Sequence, residues 1–300
     1  MVATAKEEAH MLPEIRTLWD FDDPAGTEVK FRELIPKAKE LGDKSYHVQL
    51  LTQIARTYSL RMKFEEAHEI LNEAETLLTD DLVVAKIRYL LERGRAYNSN
   101  QEQDKAKPLF VKAWEFALLN NEDGFAIDAA HMMGIAETPD NQIEWNLKAI
   151  ELAEKTTDQT AKGWLGPLYN NTGWSYFDLT EYEKALELFE KGLKWRKEMN
   201  DESGIRVQTW NIGRTYRALG KIDEALEIQI EIEKEFEEKG IPNSGYNYEE
   251  LGELYLIRGE KEKAAKYFKL AYEILSKDQW LNANEPERLK RLKELGDQKR

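Results

Sequence analysis

The sequence predicts an all-α protein in which six helical hairpins stack as a solenoid. A small residue, here called the anchor, recurs every 39 or 40 residues, and an aromatic residue follows it three places later in five of the six repeats. A second small residue lies 12 places after five of the anchors, and no segment alternates as a strand would. This period is typical of stacked helical hairpins. The anchors are Ala55, Gly94, Gly134, Gly173, Gly213 and Gly252.

The organisation along the chain follows from this period. Residues 1–44 form an N-terminal extension, in which the stretch 27–41 is expected to be a lone helix that covers the first repeat. Residues 45–275 hold the six repeats. Residues 276–300 are expected to form a C-terminal capping helix and tail, because leucines line one side of the stretch 284–295 and basic residues the other.

Several residues predict where helices begin and end. Thr180 and Glu183 have the spacing of a capping box, which predicts a helix start at Thr180. Gly220 and Gly259 are expected to end the first helices of the fifth and sixth repeats. Asn284 is expected to cap the last helix.

The third repeat departs from the pattern. Glu137 stands where the other repeats have an aromatic residue, and Asn146 stands where they have alanine. Met132 and Met133 are expected to fill the space, since methionine adapts to irregular gaps.

The stretch YNNTGWSYFDLTEYEKALELFEKGL, within residues 169–193, resembles the tetratricopeptide repeat in its longer variety. The resemblance covers residues 45–275, and the repeats are similar to those of bacterial peptide-sensing regulators and kinesin light chains. It implies a right-handed superhelical solenoid with capping helices at both ends. It also implies that the first helices of the hairpins line a concave groove that binds peptides.

Composition narrows the function further. Lys and Arg total 43 against 57 Asp and Glu, a formal net charge of −14. Such a chain lacks the cationic surface that nucleic acids and anionic membranes need, so neither is an expected partner. It has no cysteine, which excludes disulfides and cysteine-ligated zinc. No apolar run has the length of a signal peptide or a membrane span, so a cytoplasmic location is expected.

Residues suited to catalysis are sparse. The four histidines show no metal-binding spacing, and no phosphate-binding loop or nucleophile elbow occurs. We therefore expect a non-enzymatic protein without metal or cofactor. Asp20, Asp22 and Asp23 crowd three carboxylates near two aromatics. This segment is either a cation or docking site or, as is commoner, a solvated loop.

Five positions of each first helix define a surface that we call the first-helix arc: 6, 3 and 2 residues before the anchor, and 1 and 4 after it. At about 100° per residue these positions face away from the side fit for burial. In repeats one to five the arc carries five arginines, two acids and no lysine. Arginine and tryptophan dominate binding hot spots. The candidate ligand-binding residues are Arg56, Arg95, His131, Asn170, Asn171, Trp174, Trp210, Asn211, Arg214 and Arg217.

Asn171 and Asn211 lie at one offset in successive repeats, so stacking is expected to place them side by side. The resemblance implies asparagines that grip a peptide backbone, and Arg214 is expected to pair with a carboxylate. The predicted partner is therefore a protein or peptide segment that is acidic or has a free carboxylate. Positive ligand charge is expected only near the acids of the sixth repeat, Glu249, Glu250 and Glu253.

Three functional hypotheses remain from the sequence. The first is a binding scaffold or adaptor that holds a peptide or protein segment in the groove. The second is a peptide-responsive regulator whose superhelix changes shape when ligand binds. The third is a catalytic or small-molecule site built on His131 and the acids near it.

Overall fold

The computed structural model describes residues 12–297, and all regular secondary structure in that range is helical. The predicted all-α architecture of stacked helical hairpins is confirmed. Within the described range no helix is both long and apolar enough to cross a lipid bilayer. The chain divides into two compact units, and the boundary lies between Trp164 and Leu165.

Unit 1 contains a short 3₁₀ helix, Ile15–Leu18, a lone helix α1, Pro24–Glu40, and the first three repeats. The lone helix packs on the first helix of repeat one, where the sequence predicts a cover. The repeats are α2 (Lys44–Leu60) with α3 (Phe64–Leu77), α4 (Val83–Ser99) with α5 (Gln103–Leu119), and α6 (Asp123–Ala136) with α7 (Pro139–Lys155), followed by the short α8 (Gln159–Lys162).

Unit 2 contains the last three repeats and two C-terminal helices. The longer of these, α16, packs on the second helix of repeat six, α14, and its leucines Leu289 and Leu292 are buried there. The helices are α9 (Leu165–Asp178) with α10 (Tyr182–Glu198), α11 (Glu202–Ala218) with α12 (Ile222–Lys239), α13 (Tyr246–Ile257) with α14 (Lys261–Leu275), then α15 (Gln279–Asn284) and α16 (Pro286–Gly296).

The anchor glycines let the two helices of a hairpin approach closely. A Cβ atom added to Gly94 would lie 2.4 Å from the ring of Phe110, and one added to Gly173 would lie 2.5 Å from that of Phe189. Both rings lie 16 residues after their anchor and are fully buried. The sequence period therefore records a contact inside each hairpin, repeated along the chain.

The turn between the two helices of a hairpin has a left-handed residue seven places after the anchor in five repeats. These residues are Met62, Gln101, Thr180, Gly220 and Gly259, with φ between 59° and 76°. A left-handed residue ends the first helix, and glycine adopts that conformation most easily. The predicted helix ends at Gly220 and Gly259 are therefore confirmed.

Two predicted helix caps are wrong. Thr180 has a φ of 60° and belongs to the end of the preceding turn, so it makes no capping box with Glu183, and α10 begins without a side-chain cap. Asn284 ends α15, where its side-chain amide donates to the carbonyl oxygen of Trp280 at 2.9 Å, and α16 begins after it. Neither polar residue caps the helix that follows it: Asn284 bonds within the helix that it ends, and Thr180 occupies the left-handed position of the turn.

The irregular third repeat packs through the residues that the sequence singles out. Met132 and Met133 are buried in the core around α4 to α7. Gly134 lies against Asn146, whose Oδ1 would be 2.3 Å from an added Cβ. Glu137 follows α6 in extended backbone, so this repeat has no left-handed turn at the usual position.

Candidate functional site

A cavity of about 470 Å³ lies in unit 2, between the first helices α9, α11 and α13 and the second helix α12. Four of the predicted ligand-binding residues line it: Asn170, Trp174, Trp210 and Asn211. The remaining lining residues are Ser203, Arg206, Val207, Ile232, Phe236, Ser244, Tyr246 and Asn247.

Three of the aromatic residues that line this cavity are neighbours. The rings of Trp174 and Trp210 have centroids 6.1 Å apart, and those of Trp210 and Tyr246 are 6.2 Å apart. Ile232 and Phe236 also line the cavity, and they were not predicted because they lie on a second helix. Their spacing of one helical turn near the end of α12 is the signal that could have found them.

Asparagines supply the polar groups of the cavity. Asn211 is buried, and its side-chain amide donates to Oδ1 of Asn170 at 2.9 Å. The partner of Asn211 is thus Asn170, one position before the expected Asn171. Asn171 is exposed and accepts a hydrogen bond from Asn170 at 3.2 Å. Asn170 lies three residues before its anchor and Asn211 lies two residues before its own. The contacting positions of these neighbouring first helices therefore differ by one residue.

One donor in the cavity is unused. Nε1 of Trp210 is buried and has no hydrogen-bond acceptor among residues 12–297. By contrast, the amide of Asn247 is satisfied, because it donates to the backbone oxygen of Gln229 at 2.9 Å and to its Oε1 at 2.8 Å. A buried N–H without an acceptor is uncommon in proteins.

The two arginines predicted beside this site are held by an acid of the next repeat. Arg214 and Arg217 both donate to the carboxylate of Glu250, whose side chain is 1% exposed. Burial by itself would lower the pKa of Arg217, but the hydrogen bonds and charge of Glu250 raise it overall. The Arg214 guanidinium also lies 5.9 Å from the ring of Trp174 and 5.8 Å from that of Trp210. These arginines therefore link α11 to α13.

The other acids of the sixth repeat are paired as well. Glu249 accepts from Nε and Nη2 of Arg288 at 2.9 and 2.6 Å. Glu253 accepts from both terminal nitrogens of Arg291. Both arginines lie on α16, so the C-terminal helix neutralises the carboxylates that the sequence analysis assigned to a positively charged ligand.

Unit 1 carries the other predicted residues in a network of alternating charge. The buried carboxylate of Glu92 accepts from Nη1 of Arg56 at 3.2 Å and from Nη1 of Arg95 at 2.7 Å. Arg95 also donates to Asp128. Burial by itself would raise the pKa of Glu92, but the two guanidinium charges lower it overall.

His131 lies beside this network, and its ring is 5.4 Å from that of Trp164. Burial lowers the pKa of His131, so the neutral ring is favoured at neutral pH. Among the described residues, no three His, Asp or Glu side chains are grouped so as to hold a metal ion. The hypothesis of a catalytic site at His131 gains nothing from this arrangement.

Two of the three carboxylates of the N-terminal segment, those of Asp20 and Asp23, bond to nearby backbone. Oδ1 of Asp20 accepts from the N–H groups of Asp22 and Asp23 at 3.0 and 3.3 Å. Oδ1 of Asp23 accepts from the N–H of Gly26 at 2.9 Å and caps α1. The preceding Trp19 donates to Oε1 of Gln53 at 2.8 Å. These contacts favour a structural loop over a cation site.

The family model of the tetratricopeptide repeat matches residues 166–199, the hairpin of α9 and α10. The fold is that of a tetratricopeptide repeat protein. RapI in its apo form superposes on this chain with a TM-score of 0.68 and 16% identity, over 92% of this chain and 84% of RapI.

Two further solved structures share the fold. A signal transduction ATPase with numerous domains from Pyrococcus horikoshii, which has a tetratricopeptide repeat sensor, gives a TM-score of 0.65 at 17% identity, over 93% of this chain and 45% of that protein. Aspartyl phosphate phosphatase F from Bacillus subtilis gives 0.58 at 16% identity, over 94% and 75%. At such identities the likeness concerns the fold of the tetratricopeptide repeats.

Proposed function

We propose that this protein is a non-enzymatic binding protein, a scaffold or adaptor, that holds a peptide or protein segment on the first-helix arc. The cavity of about 470 Å³ in unit 2 carries this proposal. Its size is within the range of ligand-binding sites, and its lining combines six aromatic or aliphatic residues with six polar ones. The expectation of a cytoplasmic location rests on the sequence and stays a prediction.

The chemistry of the lining defines what enters the cavity. Trp174, Trp210 and Tyr246 line the cavity with neighbouring rings, and such rings contribute strongly to binding when an apolar side chain desolvates them. The unused N–H of Trp210, and the one side-chain N–H of Asn170 that does not donate to Asn171, suit the carbonyl oxygens of a peptide backbone. An apolar or aromatic side chain of the ligand therefore fills the cavity, and its backbone bonds to Trp210 and Asn170.

The partner is proposed to be acidic or to carry a free carboxylate. The excess of arginine over acid on the arc of repeats one to five supports this in a chain of net charge −14. In unit 2 a ligand carboxylate would compete with Glu250 for Arg214, so the acidic preference contributed by Arg214 is modest.

A second candidate is a regulator that responds to ligand. Arg214 supports it, because its guanidinium contacts the cavity rings of Trp174 and Trp210 and also bonds to Glu250 on the next repeat. A ligand that moves these rings acts directly on an ion pair between repeats. Among the similar structures, the Pyrococcus horikoshii ATPase carries a tetratricopeptide repeat sensor.

The test is binding of the purified full-length protein to arrayed peptides of random sequence, followed by affinity measurement on the best of them. Peptides with large apolar or aromatic residues are expected to bind. Trp210→Ala is expected to weaken them about 30-fold, as for a buried tryptophan hot spot. Trp210→Phe keeps a ring but removes the N–H, and about a 5-fold loss is expected.

Two further variants complete the design. Val207→Trp fills the cavity from its exposed rim and is expected to block binding while thermal stability is kept. Trp280→Ala is the matched control, because Trp280 is 61% exposed on α15 outside the cavity. If the Trp210→Ala and Trp280→Ala variants bind equally well, the cavity is not the ligand site.

A further inference from the structure

Arg88 differs from the other arginines of the first-helix arc because it has no acidic partner. It lies on α4 and is half-buried, and its guanidinium stacks 5.0 Å from the ring of Phe125 on α6. Its Nε is buried without an acceptor, and no carboxylate within the described residues forms an ion pair with it. The pKa of Arg88 is lowered because burial leaves its charged guanidinium poorly solvated.

The acids nearest to Arg88 are already engaged. Glu92 lies one turn further along α4, where a partner is normally found, but it accepts from Arg56 and Arg95 and also from Nε2 of Gln53 at 3.3 Å. The second acid, Asp128, accepts from Arg95. The two carboxylates that could pair with Arg88 are therefore already bonded to other arginines.

A count of charge gives the same result. The charged groups with the largest electrostatic effect on Arg88 are two acids, Glu92 and Asp128, and two arginines, Arg56 and Arg95. The two negative and two positive charges of these groups balance. The positive charge of Arg88 is additional to them. The neighbouring His131 adds no charge at neutral pH, because burial lowers its pKa.

We propose that Arg88 is the carboxylate-binding subsite of unit 1, which receives an Asp or Glu side chain or a C-terminal carboxylate from a bound peptide. This rests on the proposed peptide-binding function and assigns its acidic preference to Arg88 instead of Arg214. A guanidinium that stacks on a ring keeps its edge N–H groups free, and their geometry matches a carboxylate bidentately. A carboxylate brings one negative charge to one surplus positive charge. A phosphate dianion would bring a second charge close to Glu92 and Asp128.

The first experiment needs no peptide ligand. The Nε–H signals of arginine-labelled full-length protein are assigned with the Arg88→Lys variant, and sodium acetate, sodium phosphate and sodium chloride are titrated at constant ionic strength. Acetate is expected to shift the Arg88 signal saturably, and more strongly than chloride. Equal, non-saturating shifts with acetate and chloride would overturn the subsite, and saturation by phosphate at lower concentration than acetate would overturn its assignment to a carboxylate.

The second experiment uses the best-binding array peptide that contains one Glu, together with its Gln counterpart. Arg88→Gln is expected to reduce the preference for Glu by about 10-fold, since hydrogen bonds between charged groups are strong. Lys86→Gln is the matched control, because Lys86 is on the same helix and pairs with the fully exposed Asp80. An equal preference for Glu in the Arg88→Gln and Lys86→Gln variants would overturn the proposal.

Folding gives an independent check. Removing an unpaired, poorly solvated charge is expected to leave the Tm unchanged or raise it. A marked fall in the Tm of Arg88→Gln would show a structural role and overturn the subsite. Absence of any peptide binding by the wild type would refute the proposed function, whereas peptide binding with an unaltered preference for Glu in Arg88→Gln would refute only this inference.

Discussion

Replacing Glu250 by Gln tests the ion cluster that links the fifth and sixth repeats. The Glu250 side chain is 1% exposed and accepts from Arg214, and from Nε and Nη2 of Arg217 at 2.7 and 2.9 Å. The variant leaves two guanidinium groups without a counter-charge. We expect unit 2 to be destabilised and the contact between α11 and α13 to loosen.

The magnitude follows from burial. Breaking a buried ion pair by removing one partner typically costs about 3–5 kcal/mol. The Arg214 and Arg217 side chains are 28% and 23% exposed, so water relieves part of this cost. We therefore expect Glu250→Gln to lower the free energy of unfolding by about 2–4 kcal/mol.

Glu253→Gln is the matched control. Glu253 lies on the same helix and also pairs with an arginine, but the side chain of its partner Arg291 is 49% exposed. Exposed ion pairs contribute only about 0–1 kcal/mol. The two variants make the same chemical change, so the difference between them reports burial.

The assay is urea unfolding followed by circular dichroism at a helical wavelength, together with thermal unfolding. At about 2–4 °C per kcal/mol, Glu250→Gln is expected to lower the Tm by at least about 4 °C. If Glu250→Gln and Glu253→Gln give the same urea midpoint and Tm, the buried cluster does not stabilise the stack, and the assignment of Arg214 and Arg217 to structural pairing is wrong.

Two further predictions concern unit 1. Because burial lowers the pKa of His131, the unfolded chain binds a proton more readily, and the stabilising contribution of the neutral ring is lost as pH falls below about 6.5. Thermal scans at pH 7 and pH 5 should show a smaller loss of Tm for His131→Gln than for wild type, and equal losses would contradict this. Gly94→Ala is expected to cost about 1–3 kcal/mol, because its Cβ would lie 2.4 Å from the ring of Phe110. Gly124→Ala meets no atom closer than 3.8 Å and should cost nothing, so a stable Gly94→Ala variant would refute the close hairpin contact.

The hairpin contacts were predictable from the sequence because they are local. Gly94 and Phe110 belong to one hairpin, and the close approach of its two helices requires the same residue types each time the hairpin recurs. Composition and period therefore predicted the all-α stack and the lone helix before the first repeat. The wrong cap at Thr180 shows a limit of local patterns, since a capping-box spacing does not show whether the residue adopts a left-handed backbone.

The site was predicted only in outline. Periodicity at about 100° per residue placed Trp174 and Trp210 on one surface, and both line the cavity. The same rule paired Asn211 with Asn171, although Asn170 makes the contact. One residue is a rotation of about 100°, but which side chains touch also depends on how far neighbouring helices are shifted and tilted. No single helix contains that information.

The sequence by itself determined the repeat, its helical hairpins and the arginine-rich arc, because each depends on residues close together in the chain or on simple counts. Tertiary structure decided which charged side chains form ion pairs. Arg214 pairs with Glu250, and Arg56 pairs with Glu92. In each pair the two residues are 36 positions apart in the sequence. Arg88, by contrast, has no acidic partner within the described residues. Ion pairing depends on distances of a few ångström between side chains of different repeats, and only the stacking of those repeats sets such distances.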